Sequence, residues 1–152
     1  MKITGLETVL LTAQPSEPIR WSGGQLNTVQ ASLILVHTDE NITGLGETYT
    51  GIFAPKAVRG IVESLEPLLL GEDPTDVARL YQKMYSKTLF WARVGAGLST
   101  IGAIETALWD ILGKVKGEPV EFNARWANTY IRQDGRWKIR METVIPSPPP
   151  AK

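Results

Sequence analysis

The spacing of apolar residues changes at Pro55 from strand-like to helical, and that change fixes the fold class. Before it, the apolar residues fall in short β-rich runs. Ile3 to Thr12 reads as a strand, Ala31 to His37 as a second, and Ile42 to Tyr49 as a third. The last two are separated by Thr38-Asp39-Glu40-Asn41, turn chemistry too short for anything but antiparallel pairing. Ala13 to Gln30, rich in Pro, Ser and Gly, reads as a long loop. After it, the period is helical. Val58, Ile61, Val62 and Leu65 share a face behind Pro55, a favourable first helical residue, and Pro67 ends the run. Asp73-Pro74 reads as the next helix start, with Val77, Leu80, Tyr81, Met84 and Tyr85 following at helical spacing. Trp91 to Gly97 breaks the pattern. Ile101, Ile104, Leu108, Ile111 and Val115 then give the clearest helix, closed by Lys114, Lys116 and Gly117. Strands followed by helices predict an α+β fold: a three-stranded antiparallel meander, then a three-helix bundle. The expected core is Val58, Ile61, Leu65, Leu80, Met84, Ile104, Leu108 and Ile111.

Composition removes several functions. Sixteen basic residues balance sixteen acidic ones among 152, so neither nucleic acid nor an anionic membrane is implied as partner. No run approaches the ~18 apolar residues of a membrane helix. The polar start Met1-Lys2-Ile3-Thr4-Gly5-Leu6-Glu7 does not read as a secretory signal, so a cytoplasmic location is expected. There is no cysteine and one histidine, His37, which excludes thiolate chemistry and a multi-histidine metal site within the chain. The 152 residues are also too few for a complete (β/α)8 barrel, which takes ~200 or more.

Charge divides the chain near Val120. Residues 1–120 carry ten Lys/Arg against thirteen Asp/Glu, and residues 121–152 carry six against three. Thirteen of the fourteen glycines lie in the first part, and the second ends in the proline-rich 146–152. We therefore read three segments: 1–120, a β-hairpin over 121–145, and an extended tail over 146–152. Asp134-Gly135 between β-rich runs predicts a two-residue turn, pairing Arg132 with Trp137, Tyr130 with Ile139 and Asn128 with Met141. An isolated hairpin is marginal in water, so Arg125 to Ile145 is expected to dock on another surface.

The first segment resembles the N-terminal capping domain of the enolase superfamily, in its mandelate racemase, muconate-lactonising enzyme and sugar-acid dehydratase branch. The likeness rests on Met1-Lys2-Ile3, Gly44-Leu45-Gly46-Glu47, Leu70-Gly71-Glu72-Asp73-Pro74, Ala103 to Ile111 and Gly113 to Val120, in the right order on the right elements. It implies a lid that closes over a (β/α)8 barrel. The barrel would carry the acids, bases and magnesium that abstract a proton beside a substrate carboxylate. It implies two pocket-shaping loops, about 19–26 and 48–53, with Trp21, Tyr49, Ile52 and Phe53 against the ligand. Trp21 could equally pack on the sheet, and Tyr49, Ile52 and Phe53 could staple their loop to the first helix. The second segment resembles the last hairpin of the SnoaL-like, nuclear-transport-factor-like fold, through Arg125-Trp126 and Arg132 to Ile139.

These likenesses imply part of a magnesium-dependent lyase or isomerase, with no catalytic residue, metal ligand or cofactor in this chain. The one Lys-x-Lys, Lys114-Val115-Lys116, reads as helix-terminal charge rather than as a barrel-strand pair. Glu47 is expected to bond nearby loop backbone, His37 to be solvated, Trp109 to pack, and Asp110 to be exposed or locally bonded. The implied partner is the chain itself, as a homo-oligomer, or a barrel domain in trans. A small binding or dimerising module built on the hairpin, or a fused remnant without function, is the alternative.

Overall fold

The computed structural model describes residues 1–117, 127–133 and 136–142; for the last two stretches and for Trp21 it describes the backbone. The chain divides into two units, Met1–Val120 and Glu121–Lys152.

The first unit opens on strand β1 (Ile3–Ala13). A small hairpin follows, β2 (Ile19–Trp21) and β3 (Gly24–Leu26), then β4 (Val29–Thr38) and β5 (Thr43–Thr48). The main sheet has the order β1-β4-β5, antiparallel throughout, with an irregularity between Ile3 and Gly5. This is the expected meander. The expected loop over 13–30 is corrected, because it holds the β2–β3 hairpin, with Trp21 paired to Gly24. Strands of three residues are too short to show a period, and the flanking Gly and Ser conceal them.

Three helices follow: α1 (Pro55–Leu65), α2 (Val77–Lys87) and α3 (Gly95–Lys116). The start of α2 is a second correction. Asp73 does not cap it. Its carboxylate accepts hydrogen bonds from the Thr75 amide (2.9 Å) and hydroxyl (2.7 Å), forming a turn that delays the helix to Val77. The end of α3 is as expected: Gly117 is left-handed (φ 68°), and its amide donates to the carbonyls of Gly113 and Lys114.

The core lies between the helices and one face of the sheet. Seven of the eight expected core residues are buried, and Ile61 is half-buried against them. Val115, which shares the helical period, is exposed near the end of α3.

The seam between α3 and β5 explains the two glycines of Gly44-Leu45-Gly46-Glu47. A Cβ on Gly46 would fall 1.9 Å from the Ala103 carbonyl oxygen, and one on Gly44 would fall 2.1 Å from that of Ala107. The helix backbone thus lies directly on the strand. Asp110 and Lys114, one turn apart, then finish the outer edge of β5. Asp110 Oδ2 accepts from the Leu45 amide (2.9 Å), and Lys114 Nζ donates to the Thr43 carbonyl (2.6 Å) and to Asp110 (2.5 Å). Asp110 is therefore more than a locally bonded carboxylate: it ties the strand to the helix.

His37 is half-exposed but not simply solvated. Its ring nitrogens lie 3.1 Å from Thr43 Oγ1 and 3.2 Å from Glu7 Oε2, a cross-strand chain over all three strands. In the second unit, β6 (Ala127–Gln133) pairs with β7 (Arg136–Glu142) in the expected register, Arg132 opposite Trp137 and Tyr130 opposite Ile139. The expected turn at Asp134-Gly135 and the proline-rich tail lie outside the described residues, as does most of the expected docking segment's flank.

Candidate functional site

Strand β5 delivers the chain to one end of the fold. Thr48, its last residue, is buried and its hydroxyl lies 2.8 Å from that of Ser99 in α3. A 3-10 turn, Tyr49–Ile52, follows at once. This turn is pressed onto β4, because a Cβ on Gly51 would fall 2.5 Å from the amide nitrogen, Cβ and Oγ of Ser32. The Ser32 hydroxyl beneath it is buried and has no hydrogen-bond partner among the described residues.

With Gly51 seated inward, the neighbouring rings point out. Tyr49 is 69 % exposed and Phe53 60 %. They meet each other edge to face, with centroids 5.4 Å apart. Ile52 is half-buried. Trp21 belongs to the β2–β3 hairpin, where its partner is Gly24. What its side chain touches lies outside the described residues, so the structure brings together three of the four expected ligand-facing positions.

A second apolar group reaches the same end from the other side. The segment between α2 and α3 carries Phe90, 98 % exposed, and Val94, 77 % exposed, with Trp91 half out. It is anchored by Ala92, which is fully buried against Gly97: a Cβ on that glycine would fall 2.4 Å from the Ala92 Cα. Ser99, which meets Thr48, lies one turn further along α3, so the two groups flank the start of one helix. Sequence reasoning treated Trp91 to Gly97 only as a break in the helical period. The available signal was Leu89-Phe90-Trp91, an apolar triplet falling beyond the last buried position of α2.

The chemistry of this end is that of a wall. Its large exposed side chains are mostly aromatic and aliphatic, with the Tyr49 phenol and the Arg93 guanidinium as polar groups among them. Among the described residues, no three acidic or histidine side chains converge as metal ligands. On the family resemblance that ion belongs to the barrel, and no step is assigned to it here. Glu47, on β5 opposite Leu33, is half-buried. The strongest electrostatic cluster lies away from this end. Glu72 accepts from Lys83 (2.5 Å) and Arg79 (2.7 Å), which hold its carboxyl down to about 2. No helix among the described residues is long and apolar enough to cross a membrane.

Comparison with known proteins gives a consistent result. D-galactonate dehydratase of Verminephrobacter eiseniae is 36% identical over 120 residues, covering 79% of this chain and 27% of that protein. Arabinonate dehydratase of Saccharolobus solfataricus is 35% identical over 85 residues, 56% of this chain and 23% of that protein. Among solved structures, an enolase superfamily member from Polaromonas sp. JS666 superposes with a TM-score of 0.71 at 28% identity. That match covers 87% of this chain and 35% of the other. The 3,6-anhydro-D-galactonate cycloisomerase of Zobellia galactanivorans gives 0.64 at 26% identity, covering 76% and 29%. The chain thus spans about a quarter to a third of the length of these relatives. The family model of the mandelate racemase / muconate lactonizing enzyme N-terminal domain matches residues 6–121, and the chain belongs to that family.

Proposed function

We propose that residues 1–120 act as the lid of a sugar-acid dehydratase or racemase, seated on a (β/α)8 barrel domain that supplies the chemistry. One observation carries this reading. Tyr49, Phe53, Phe90, Trp91 and Val94 are exposed apolar side chains on the two segments that flank the start of α3. Large apolar side chains held out in solvent beside buried anchors suggest a binding face. The relatives named above, dehydratases of sugar acids, suggest the substrate class.

In this role the lid excludes water from the barrel mouth, and charges in the barrel act at lower effective dielectric. Tyr49, Ile52 and Phe53, with Trp21 from the other hairpin, would form the apolar side of the substrate pocket. Among the described residues no base is placed to take the α-proton, so on this reading the chain alone does not catalyse the reaction. The partner of this face is a barrel domain, in preference to a second copy of this chain, because a second apolar wall would bring no acid or base.

A chimera tests this. Residues 1–120 replace the lid of the Verminephrobacter D-galactonate dehydratase, and dehydration of D-galactonate is followed. The chimera is expected to turn over, the 152-residue chain alone is not, and Tyr49→Ala with Phe53→Ala is expected to raise KM. Turnover by the chain alone, or a folded chimera with no activity, would contradict the proposal.

A further inference from the structure

Among the described residues, the buried threonines all find partners. The Thr38 hydroxyl donates to the Ile42 carbonyl (2.7 Å), that of Thr88 to the Met84 carbonyl (2.7 Å) and that of Thr100 to the Ala96 carbonyl (2.8 Å), while Thr48 meets Ser99. Ser32 is the exception. It is fully buried, and its hydroxyl has no hydrogen-bond partner. The 3-10 turn Tyr49–Ile52 covers it. Gly51 sits so close that a Cβ there would fall 2.5 Å from Ser32 Oγ, which leaves no room for water on that side.

The strand beneath is fixed, because β4 is paired on both sides, with Ser32 opposite Leu10 and Thr48. The turn above is held lightly. The Phe53 (3.2 Å) and Ala54 (2.9 Å) amides share the one Thr50 carbonyl, and no side chain caps its start. The two rings at its ends, Tyr49 and Phe53, are exposed and do little to hold it down. A matching turn precedes α3. There the Trp91 (3.0 Å) and Ala92 (2.9 Å) amides share the Thr88 carbonyl. Its seat is different: the Thr88 hydroxyl is bonded, and buried Ala92 packs against Gly97.

We infer that the Tyr49–Ile52 turn is a strap with two positions, seated and raised, and that the Ser32 hydroxyl sets the balance between them. Seated, Gly51 keeps water from the hydroxyl. Raised, it admits water, and the hydroxyl is bonded. A buried hydroxyl left unbonded counts against the form that contains it, whereas an apolar group of the same shape does not. Ser32 therefore favours the raised form, and Gly51, having no Cβ to clash, permits the seated one. Tyr49 and Phe53 ride on the strap, while Phe90 and Val94 stay on a fixed segment. A partner that binds one position better shifts the balance toward it. The strap belongs to this chain alone and does not depend on the lid reading.

The test is amide hydrogen exchange, followed by NMR on the full chain. Ser32→Ala is expected to slow exchange at Phe53 and Ala54 by about fivefold or more, with Trp91 and Ala92 unchanged. Gly51→Ala, whose added carbon cannot seat, is expected to speed Phe53 and Ala54, again with Trp91 and Ala92 unchanged. Unchanged or faster exchange at Phe53 and Ala54 in Ser32→Ala would overturn the inference, because the hydroxyl would then have a partner, such as a trapped water, in the seated turn. Equal slowing at all four amides would overturn it as well, as general stabilisation rather than a local balance. So would unchanged exchange in Gly51→Ala, which would mean that the turn is not seated on Ser32.

Discussion

Helix α3 meets the rest of the molecule in two ways. Along its middle, Ala103 and Ala107 lie so close on β5 that only glycine fits opposite, and Asp110 and Lys114 bond the strand's outer edge. At its start, the segment that leads into it holds Phe90 and Val94 out in solvent, as the turn after β5 holds Tyr49 and Phe53. The first region is complete within the chain. The second buries an anchor, Ala92, and leaves its largest side chains uncovered. Packing that closes on itself supports folding, whereas apolar surface held outward by a rigid base is available for a partner.

This contrast predicts a gradient of mutational effects. At the closed region, Leu108 is fully buried, and Leu108→Ala is expected to cost ~2–5 kcal/mol in a denaturant melt. A loss well below that range would place this face of α3 outside the core. Gly46→Ala adds one carbon where the Ala103 carbonyl stands 1.9 Å away, so the helix or strand must shift. A cost of ~1–3 kcal/mol is expected, as for other overpacked sites. A neutral result would mean that α3 is not seated on β5 as described.

A smaller effect belongs to the Glu72 cluster. Lys83 first, then Arg79, hold this carboxyl down to about 2 from an ordinary 4.5. A folded-state pKa below the unfolded one contributes stability that is fully present above about 4.5 and is lost as the pH falls toward 2. The cluster is solvent-exposed and salt-screened, so the contribution is modest. Glu72→Gln should reduce the difference in melting temperature between pH 6 and pH 3 by a small, salt-sensitive amount, the two pH values chosen on either side of 4.5. A variant with an unchanged acid profile would show that the ion pairs do not hold in solution. The smallest effect is expected at the open region. Phe90→Ser should change stability by no more than about 0.5 kcal/mol, the usual range for surface sites. A large loss would show that Phe90 is part of the core, and the contrast would fail.

The same contrast describes what was legible in sequence. The closed region was readable because burial imposes a period: Ile101, Ile104, Leu108 and Ile111 are all fully buried. The reason for Gly44 and Gly46 was not readable, since it depends on where α3 lies. Local side-chain competition hid the start of α2, where Asp73 bonds Thr75 instead of capping a helix. The open region was readable only in part. Tyr49 and Phe53 stood out through their place after Gly44-Leu45-Gly46-Glu47, and both rings are exposed. Phe90 and Val94 were missed because an apolar residue outside a periodic run carries no sign of whether it faces in or out.

The central claim is that this open end is covered by a barrel domain. The chain has three phenylalanines, Phe53, Phe90 and Phe122, so fluorophenylalanine labelling gives few enough signals to assign by substitution. The measurement is the solvent isotope shift of the Phe53 and Phe90 fluorine resonances, with and without the isolated barrel domain of a sugar-acid dehydratase relative. The account predicts a full shift for both in the chain alone and loss of that shift when the barrel is added. Full shifts that persist beside a saturating barrel would contradict it, as would a Phe90 resonance already shielded from solvent in the chain alone.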